Sequence, residues 1–350
     1  MNKTIQPVWT LAEQSEGRLK AVSFELLAWG RSLADKLGTS LVSVLIGYGV
    51  EEASLNELIS RGADEVIACQ APPLAPFICE NYAAILERLI EEYEPAILIA
   101  AATTTGRTLM PYTAVKVRTG LTADCTGLDI EEGTGLLLQT RPAIGGNIMA
   151  TIKTPERRPQ MATVRPRSSR PLPSDPNRKG RIISVPCDSS LLTVKTEYLG
   201  IRREESDFIN PEEADMVIAG GRGLKKADNF SLIKKLAESL GAAVGASRDA
   251  VDRGWVSYPH QIGLSGKTVS PRLYVGVGIS GAIQHLAGIK TSEVIVSINS
   301  DPDAPIHKFA DLGIVGDAFQ LIPELQKRID VRASGANRHG NQPEGGNNHD

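Results

Sequence analysis

The chain has 350 residues, 41% hydrophobic and 23% charged, with 38 basic side chains against 41 acidic ones. That length exceeds one ordinary core and predicts two domains. The apolar share predicts a globular chain, and the near-even charge argues against a dedicated nucleic-acid binder, which needs a clear positive field. Four cysteines, Cys69, Cys79, Cys125 and Cys187, stand without Cys-x-x-Cys pairing or neighbouring histidines. Buried thiols are therefore expected rather than a zinc site or a disulfide framework. The first nine residues lack the apolar core of a secretion signal, and the densest apolar run, residues 96–102, is too short for a bilayer. These features predict a cytoplasmic protein with no membrane span.

Residues 7–12 predict a first strand. Val22, Leu26, Trp29 and Leu33 then recur at helical spacing, and Gly38 follows as a left-handed cap. Residues 41–46 predict a second strand, 53–60 a short helix and 65–69 a third strand. Tyr82, Ile85, Leu86, Leu89 and Tyr93 stripe a helix that must end before Pro95, and residues 96–100 supply a fourth strand. Strands apolar on both faces, alternating with helices, predict a parallel sheet covered on both sides. Thr103-Thr104-Thr105-Gly106-Arg107 follows the fourth strand directly, where such sheets place ligands. Capping of the helix running through Tyr112 and Val117 is the preferred reading there.

Beyond Gly120, short apolar runs separated by glycine, such as residues 135–139, predict added antiparallel strands. Arg157, Arg158, Arg165, Arg167 and Arg170 then fall among Pro155, Pro159, Pro166, Pro171, Pro173 and Pro176. The prolines exclude a helix that would gather the arginines on one face, so a solvated connector is expected. The charged stretch from Arg202 to Asp215 marks a boundary. The expected domains are residues 1–205 and 206–330, followed by a structureless tail, 331–350, with almost nothing apolar to bury.

The second series repeats the alternation. Residues 216–219 enter Gly220-Gly221-Arg222-Gly223, a helix over 229–240 is capped by Gly241, and residues 242–246 lead into Ser247-Arg248. Strands over 273–278, 294–298 and 312–315 and a helix over 317–328 complete it. Polar, glycine-rich clusters recur where these strands end, so several loops converge on one sheet edge, the geometry of an extended nucleotide site. Residues 273–288 read as strand, turn and helix, with Gly276, Gly278 and Gly281 in a G-x-G-x-x-G spacing that turns sharply from the first glycine. Free amides at such a helix start suit a phosphate. Asp301, beyond the next strand, keeps an NAD-dependent dehydrogenase open as the alternative. Gly266-Lys267-Thr268 ends like a phosphate-binding P-loop, but Gln261 stands where the earlier glycine is required, which sets ATP hydrolysis aside. Composition and spacing leave a nucleotide-binding domain of open ligand.

Six blocks carry a resemblance. Gly220-Gly221-Arg222-Gly223-Leu224, Val244-Gly245-Ala246-Ser247-Arg248 and Gln261-Ile262-Gly263-Leu264-Ser265-Gly266-Lys267 come first. Gly278-Ile279-Ser280-Gly281-Ala282-Ile283-Gln284-His285-Leu286-Ala287-Gly288, Asn299 with Asp301-Pro302-Asp303-Ala304-Pro305-Ile306, and Gly313-Ile314-Val315-Gly316-Asp317 follow. In this order they resemble the signature blocks of the electron transfer flavoprotein alpha-subunit family. Thr119-Gly120-Leu121-Thr122-Ala123-Asp124-Cys125 and Arg141-Pro142-Ala143-Ile144-Gly145-Gly146-Asn147 resemble its N-terminal blocks. The first of these and the Gly-Leu-Ser-Gly-Lys block are similar to the nitrogen-fixation-linked and electron-bifurcating branch.

The resemblance implies α/β architecture in two domains, each a mainly parallel sheet flanked by helices, the second holding FAD in extended form. It implies a redox carrier whose oxidoreductase activity belongs to a complex with a beta subunit. An acyl-CoA or other dehydrogenase, or NADH through the partner, would give electrons, and a ferredoxin or quinone reductase is among the acceptors. Carried over block by block, Arg222, Ser247, Ser280, Gly281, Ala282, Ile283 and Gln284 hold the pyrophosphate and ribityl chain. Asn299 and Asp317, with Ala318 beside it, face the adenosine. Arg248, Ser265 and His285 border the isoalloxazine, and Gln261, Ile262, Gly263 and Leu264 complete the loop before Ser265. A cationic Arg or a donating His stabilises negative charge on a reduced flavin. One such contact, about 1.5–3 kcal/mol, moves a one-electron potential by roughly 60–130 mV. Leu264 departs from the commoner pattern, which has Gln before the Ser or Thr, and so removes one hydrogen bond near flavin N5.

Overall fold

The computed structural model describes residues 6–143, 148–192, 195–200, 209–212 and 214–336. It divides into two units, Met1–Arg202 and Arg203–Asp350. The first carries β1 (Val8–Ala12), β2 (Leu41–Gly47), β3 (Glu65–Gln70), β4 (Ile97–Ala101), β5 (Leu121–Cys125), β6 (Gly127–Ile130), β7 (Leu137–Pro142), β8 (Met149–Ile152), β9 (Gln160–Val164) and β10 (Arg181–Ser184), besides a small hairpin at Gln14–Ser15 and Arg18–Leu19. Seven of these form one sheet in the order β10-β3-β2-β1-β4-β9-β5, parallel at every pairing. The glycine-spaced runs form a separate antiparallel sheet, β8-β7-β6.

Side chains of β1 point alternately to the two faces. Val8 and Ala12 pack with α1 (Ala21–Leu37) and α2 (Glu52–Ser60), while Trp9 and Leu11 pack with α3 (Cys79–Tyr93) and α4 (Thr104–Lys116). Gly38 ends α1 in the left-handed conformation at φ 64°, and the Thr103 hydroxyl accepts from the Gly106 amide at 3.1 Å to cap α4. The capping reading of the threonine run therefore holds.

The proline-rich connector is not wholly solvated. Between Pro159 and Pro166 lies β9, buried at all five positions and inserted between β4 and β5. Proline density excludes a helix, but five proline-free residues suffice for a strand. Arg157 and Arg158 stay exposed, whereas Arg165 grips both carboxylate oxygens of Asp124 at 3.1 and 2.6 Å.

The second unit holds β11 (Met216–Gly220), β12 (Ala243–Ala246), β13 (Leu273–Val277), β14 (Val294–Asn299) and β15 (Leu312–Val315) in the order β12-β11-β13-β14-β15, parallel throughout. The chain reverses its direction of travel across the sheet between β11 and β13, and the crevice outside such a switch point is where open α/β sheets bind ligands. One face is covered by α5 (Phe230–Leu240) and α8 (Ala318–Ala336). Loops and single turns cover the other, with Ile262, Val269, Leu286, Ile289 and Ile306 packed on Val217, Ala219 and Tyr274.

Three expectations change here. Gly276 lies inside β13, and the left-handed turn falls at Gly278 (φ 61°) and Gly281 (φ 86°). The helix after it, α7 (Ile283–Leu286), is one turn long, beside α6 (Arg248–Asp252) of five residues. At the other end, α8 continues past Asp330 to Ala336, into the segment expected to lack structure. The rest of that tail, the 205/206 boundary and residues 144–147 of the second N-terminal block lie outside the described residues.

Candidate nucleotide cleft

A cleft of about 650 Å³ opens at the carboxyl ends of β11 to β14, over the switch point. Two loops meet there backbone to backbone. The Gly223 amide donates to the Gly278 carbonyl at 2.9 Å. A Cβ on Gly223 would lie 2.6 Å from the Gly278 Cα, and one on Gly221 2.4 Å from the Gly278 oxygen. Only glycine allows that approach, and it sets the exposed Arg222 on the cleft wall.

Ser247 follows β12. Its amide donates to the Gly220 carbonyl at 3.0 Å, but its hydroxyl is buried and finds no partner among the described residues. An unpaired buried hydroxyl costs about 1–3 kcal/mol, so this wall is incomplete without a ligand. Arg248 opens α6 with its side chain 70% exposed and its Nε 3.2 Å from Asp252. Arg253 and Asp249 repeat that spacing at 2.9 Å.

The loop after them is tied on both sides. Ile262 donates to the Ala246 carbonyl at 2.9 Å, and Leu264 to the Gln284 carbonyl at 2.9 Å. Gly263 stands at φ 138°, where a Cβ would also sit 2.9 Å from the Gln284 oxygen. Ile262, Gly263, Leu264 and Ser265 all line the cleft. Gln261 does not. It is buried beneath the loop, and its Nε2 donates to the Ser265 hydroxyl at 3.0 Å, so it is a strut.

Ser280, Ala282, Gln284 and His285 line the opposite wall. Gly281 and Ile283 do not reach it: Gly281 abuts the backbone at Ile306 and Ile283 is 80% exposed. His285 is buried, with Nδ1 3.0 Å from the Ile262 carbonyl and Nε2 2.7 Å from the Tyr274 hydroxyl. Burial holds its pKa down to about 4, against a partial offset from the Ile262 carbonyl. The expected donating histidine is thus already satisfied within the protein. Asn299 lines the cleft and pins its floor, donating to the Ile279 carbonyl at 2.9 Å and accepting from the Asp301 amide at 3.0 Å. Asp317 and Ala318 are not brought in. The Asp317 carboxylate accepts from the Phe319 amide at 2.9 Å and starts α8, while Ala318 packs in the core beside Ile322.

Gly278 and Asp301, singled out by the glycine-turn reading, also line the cleft, as do Gly223, Asp249, Asp252 and Ile279, which were not among the expected contacts. The loop-end glycines carried a signal, since they lie in the quoted blocks. The aspartates of α6 carried none, because their place depends on one short turn.

Residues 210–290 match the family model described as the electron transfer flavoprotein FAD-binding domain, and residues 8–190 the one described as the electron transfer flavoprotein domain. A curated relative from Thermoanaerobacterium thermosaccharolyticum, electron transfer flavoprotein subunit alpha, is 51% identical over 92% of this chain and 97% of its own length. The chain belongs to the electron transfer flavoprotein alpha-subunit family. It is also similar to Protein FixB of Clostridium saccharobutylicum, 46% identical over 91% of this chain and 94% of that protein. The acryloyl-CoA reductase electron transfer subunit beta of Anaerotignum propionicum is 38% identical over 95% and 97% of the two chains.

The second unit is accordingly an FAD-binding domain, and its residues fit that cofactor. The orphaned Ser247 hydroxyl, the glycine crossing that lets backbone approach a ligand, and the exposed guanidinium groups of Arg222 and Arg248 suit a polar dinucleotide. The dehydrogenase alternative rested on the turn at Gly276, Gly278 and Gly281 and on Asp301; Gly276 lies inside β13, and the match of residues 210–290 is to an FAD-binding domain. Among the described residues no helix is long and apolar enough to cross a membrane, and no cluster of His, Cys, Asp or Glu is arranged for a metal ion.

Proposed function

We propose that this cleft holds FAD in extended form and that the chain, paired with a beta subunit, carries electrons from a dehydrogenase to an acceptor. The observation that carries the reading is the buried Ser247 hydroxyl, left unpaired in a cleft at the switch point of an FAD-binding domain. Bound FAD supplies a ring that takes up electrons singly or in pairs. The chain's own groups do the rest. Arg222, Ser247, Ser280, Ala282 and Gln284 hold the phosphates and ribityl chain, and Asn299 keeps the floor of the adenosine side in place. Ile262 to Ser265 form a rigid shelf beside the ring, and Arg248 offers it positive charge.

Asp317 and Ala318 act through α8 in this reading, and Gln261 and Gly281 through the loops they brace. The name of the Anaerotignum relative supports a CoA-thioester dehydrogenase or reductase as redox partner, with a ferredoxin or quinone reductase as the further acceptor. A reducing, cytoplasmic setting fits four free thiols. Burial pushes the thiol of Cys69 up to about 11 and that of Cys125 to about 12, which makes both inert.

Reductive titration of the complex co-expressed with its beta subunit tests the reading. A yellow protein whose visible band bleaches on reduction supports it, and the stoichiometry counts flavins. Two per complex would place a second in the partner, as pair-splitting requires. A colourless complex that binds only AMP or NAD would overturn it.

A further inference from the structure

His285 lines the cleft, yet both of its ring nitrogens are committed inside the protein. The Ile262 carbonyl 3.0 Å from Nδ1 can only accept, so Nδ1 carries a hydrogen. A neutral ring then has a bare Nε2, and the Tyr274 hydroxyl, 2.7 Å away, must be its donor. Tyr274 is wholly buried on β13, its ring centroid 6.1 Å from that of the histidine. Gly276, two residues along the same strand, makes the room, since a Cβ there would lie 3.2 Å from the Tyr274 ring. Burial also favours the neutral imidazole.

We propose that Tyr274 is a positioning residue that fixes the Nδ1–H tautomer of His285, ties the shelf at Ile262 to β13, and leaves His285 no hydrogen to give to a ligand in the cleft. Negative charge arriving on a ring there is met by Arg248 and by backbone amides, not by the histidine. The inference rests on the FAD reading of the cleft for its redox consequence, but not for the tautomer. Arg222, Arg248, Asp249, Asp252 and Asp301 are the charged groups that share the cleft with His285. None of them is altered by a change at Tyr274.

The test uses the full chain co-purified with its beta subunit and labelled with ¹⁵N-histidine, beside the same complex carrying Tyr274→Phe. In the unaltered protein the His285 signals should show Nδ1 protonated and Nε2 bare, unchanged down to about pH 5, well below the ordinary histidine value near 6.5. Tyr274→Phe keeps the ring bulk but withdraws the donor. Its His285 should become a mixture of tautomers and titrate at higher pH than in the unaltered protein. As pH falls through that titration the flavin potential of the variant should rise more steeply than that of the unaltered complex, whose slope reflects only the proton uptake of the flavin itself. A protonated Nε2 in the unaltered protein overturns the proposal, as does a variant with unchanged tautomer and unchanged potential profile. Should Tyr274→Phe fail to fold, the tautomer of the unaltered protein decides alone. Absence of flavin from the complex would defeat the cofactor reading while leaving the tautomer to be scored.

Discussion

The two units place a switch point at the same position in the same kind of sheet and treat it in opposite ways. In the first unit the reversal falls between β1 and β4, where Glu13 follows one strand and Thr103 the other. The Glu13 carboxylate is buried there, accepts from the Thr103 hydroxyl at 2.5 Å and faces the Lys20 ammonium at 3.3 Å. The chain supplies its own anion, and the donors that a ligand would use are occupied. In the second unit the matching position, between β11 and β13, is an open cleft with an unpaired serine hydroxyl and exposed arginines. A parallel sheet thus provides a place for a ligand, and whether one is needed depends on which polar groups are left unsatisfied.

The largest effect should come from closing the open cleft. Gly278 combines φ 61° with a would-be Cβ 2.8 Å from the Gly223 Cα. Gly278→Val should therefore strain the backbone and force the loops apart, at a cost on the order of 3 kcal/mol. Flavin content should fall to near zero while circular dichroism shows both sheets retained. Full flavin occupancy would contradict the close-approach argument. The reciprocal experiment removes the built-in anion: Glu13→Ala takes the carboxylate from Lys20 and the acceptor from the Thr103 hydroxyl, which keeps only the Gly106 amide, and should lower stability by about 2–3 kcal/mol, with Lys20 only partly buried. Denaturant melts should show that loss with flavin content unchanged, because the groups Glu13 holds belong to the first unit and not to the cleft of the second. Loss of flavin with Glu13→Ala would erase the contrast between the units.

Much of this arrangement was legible in the residues. Strands β1 to β4 carry apolar runs on both faces, and Gly38 and Gly241 sit where left-handed caps admit little else. The blocks that line the cleft end strands, so their convergence follows from topology. Other features depend on partners that spacing does not reveal. β9 is short and bracketed by prolines, and only its neighbours β4 and β5 make it a central strand. Asp317 is expected to face the adenosine, and spacing alone does not show that its carboxylate accepts from the Phe319 amide at the start of α8. His285 reads as a flavin donor until Tyr274, eleven positions earlier, is found against its Nε2.

That histidine gives the cleft wall a pH dependence with a definite sign. Folding depresses its pKa to about 4 from 6.5, so the unfolded chain takes up the proton first. The wall's contribution is complete above about pH 6.5, declines as pH falls through that window, and levels off below about 4, for a total near 3 kcal/mol. Melts of the second unit followed by its own tryptophan, Trp255, should show this slope. His285→Gln should flatten it. An equal slope in both proteins would locate the titrating group elsewhere.

The smallest effect bears most directly on the contrast between the two switch points. Ser247→Ala removes a buried hydroxyl that has no partner within the described protein. In the cofactor-free chain the change should therefore be neutral or slightly stabilising, because an unsatisfied group is deleted and no hydrogen bond is lost. In the loaded complex the same deletion removes a contact, and flavin affinity should fall about tenfold, or 1.4 kcal/mol. Calorimetry with and without FAD separates the two states. A destabilised cofactor-free chain would mean that Ser247 already has a partner, as Glu13 does, and the second switch point would then be closed by the same device as the first.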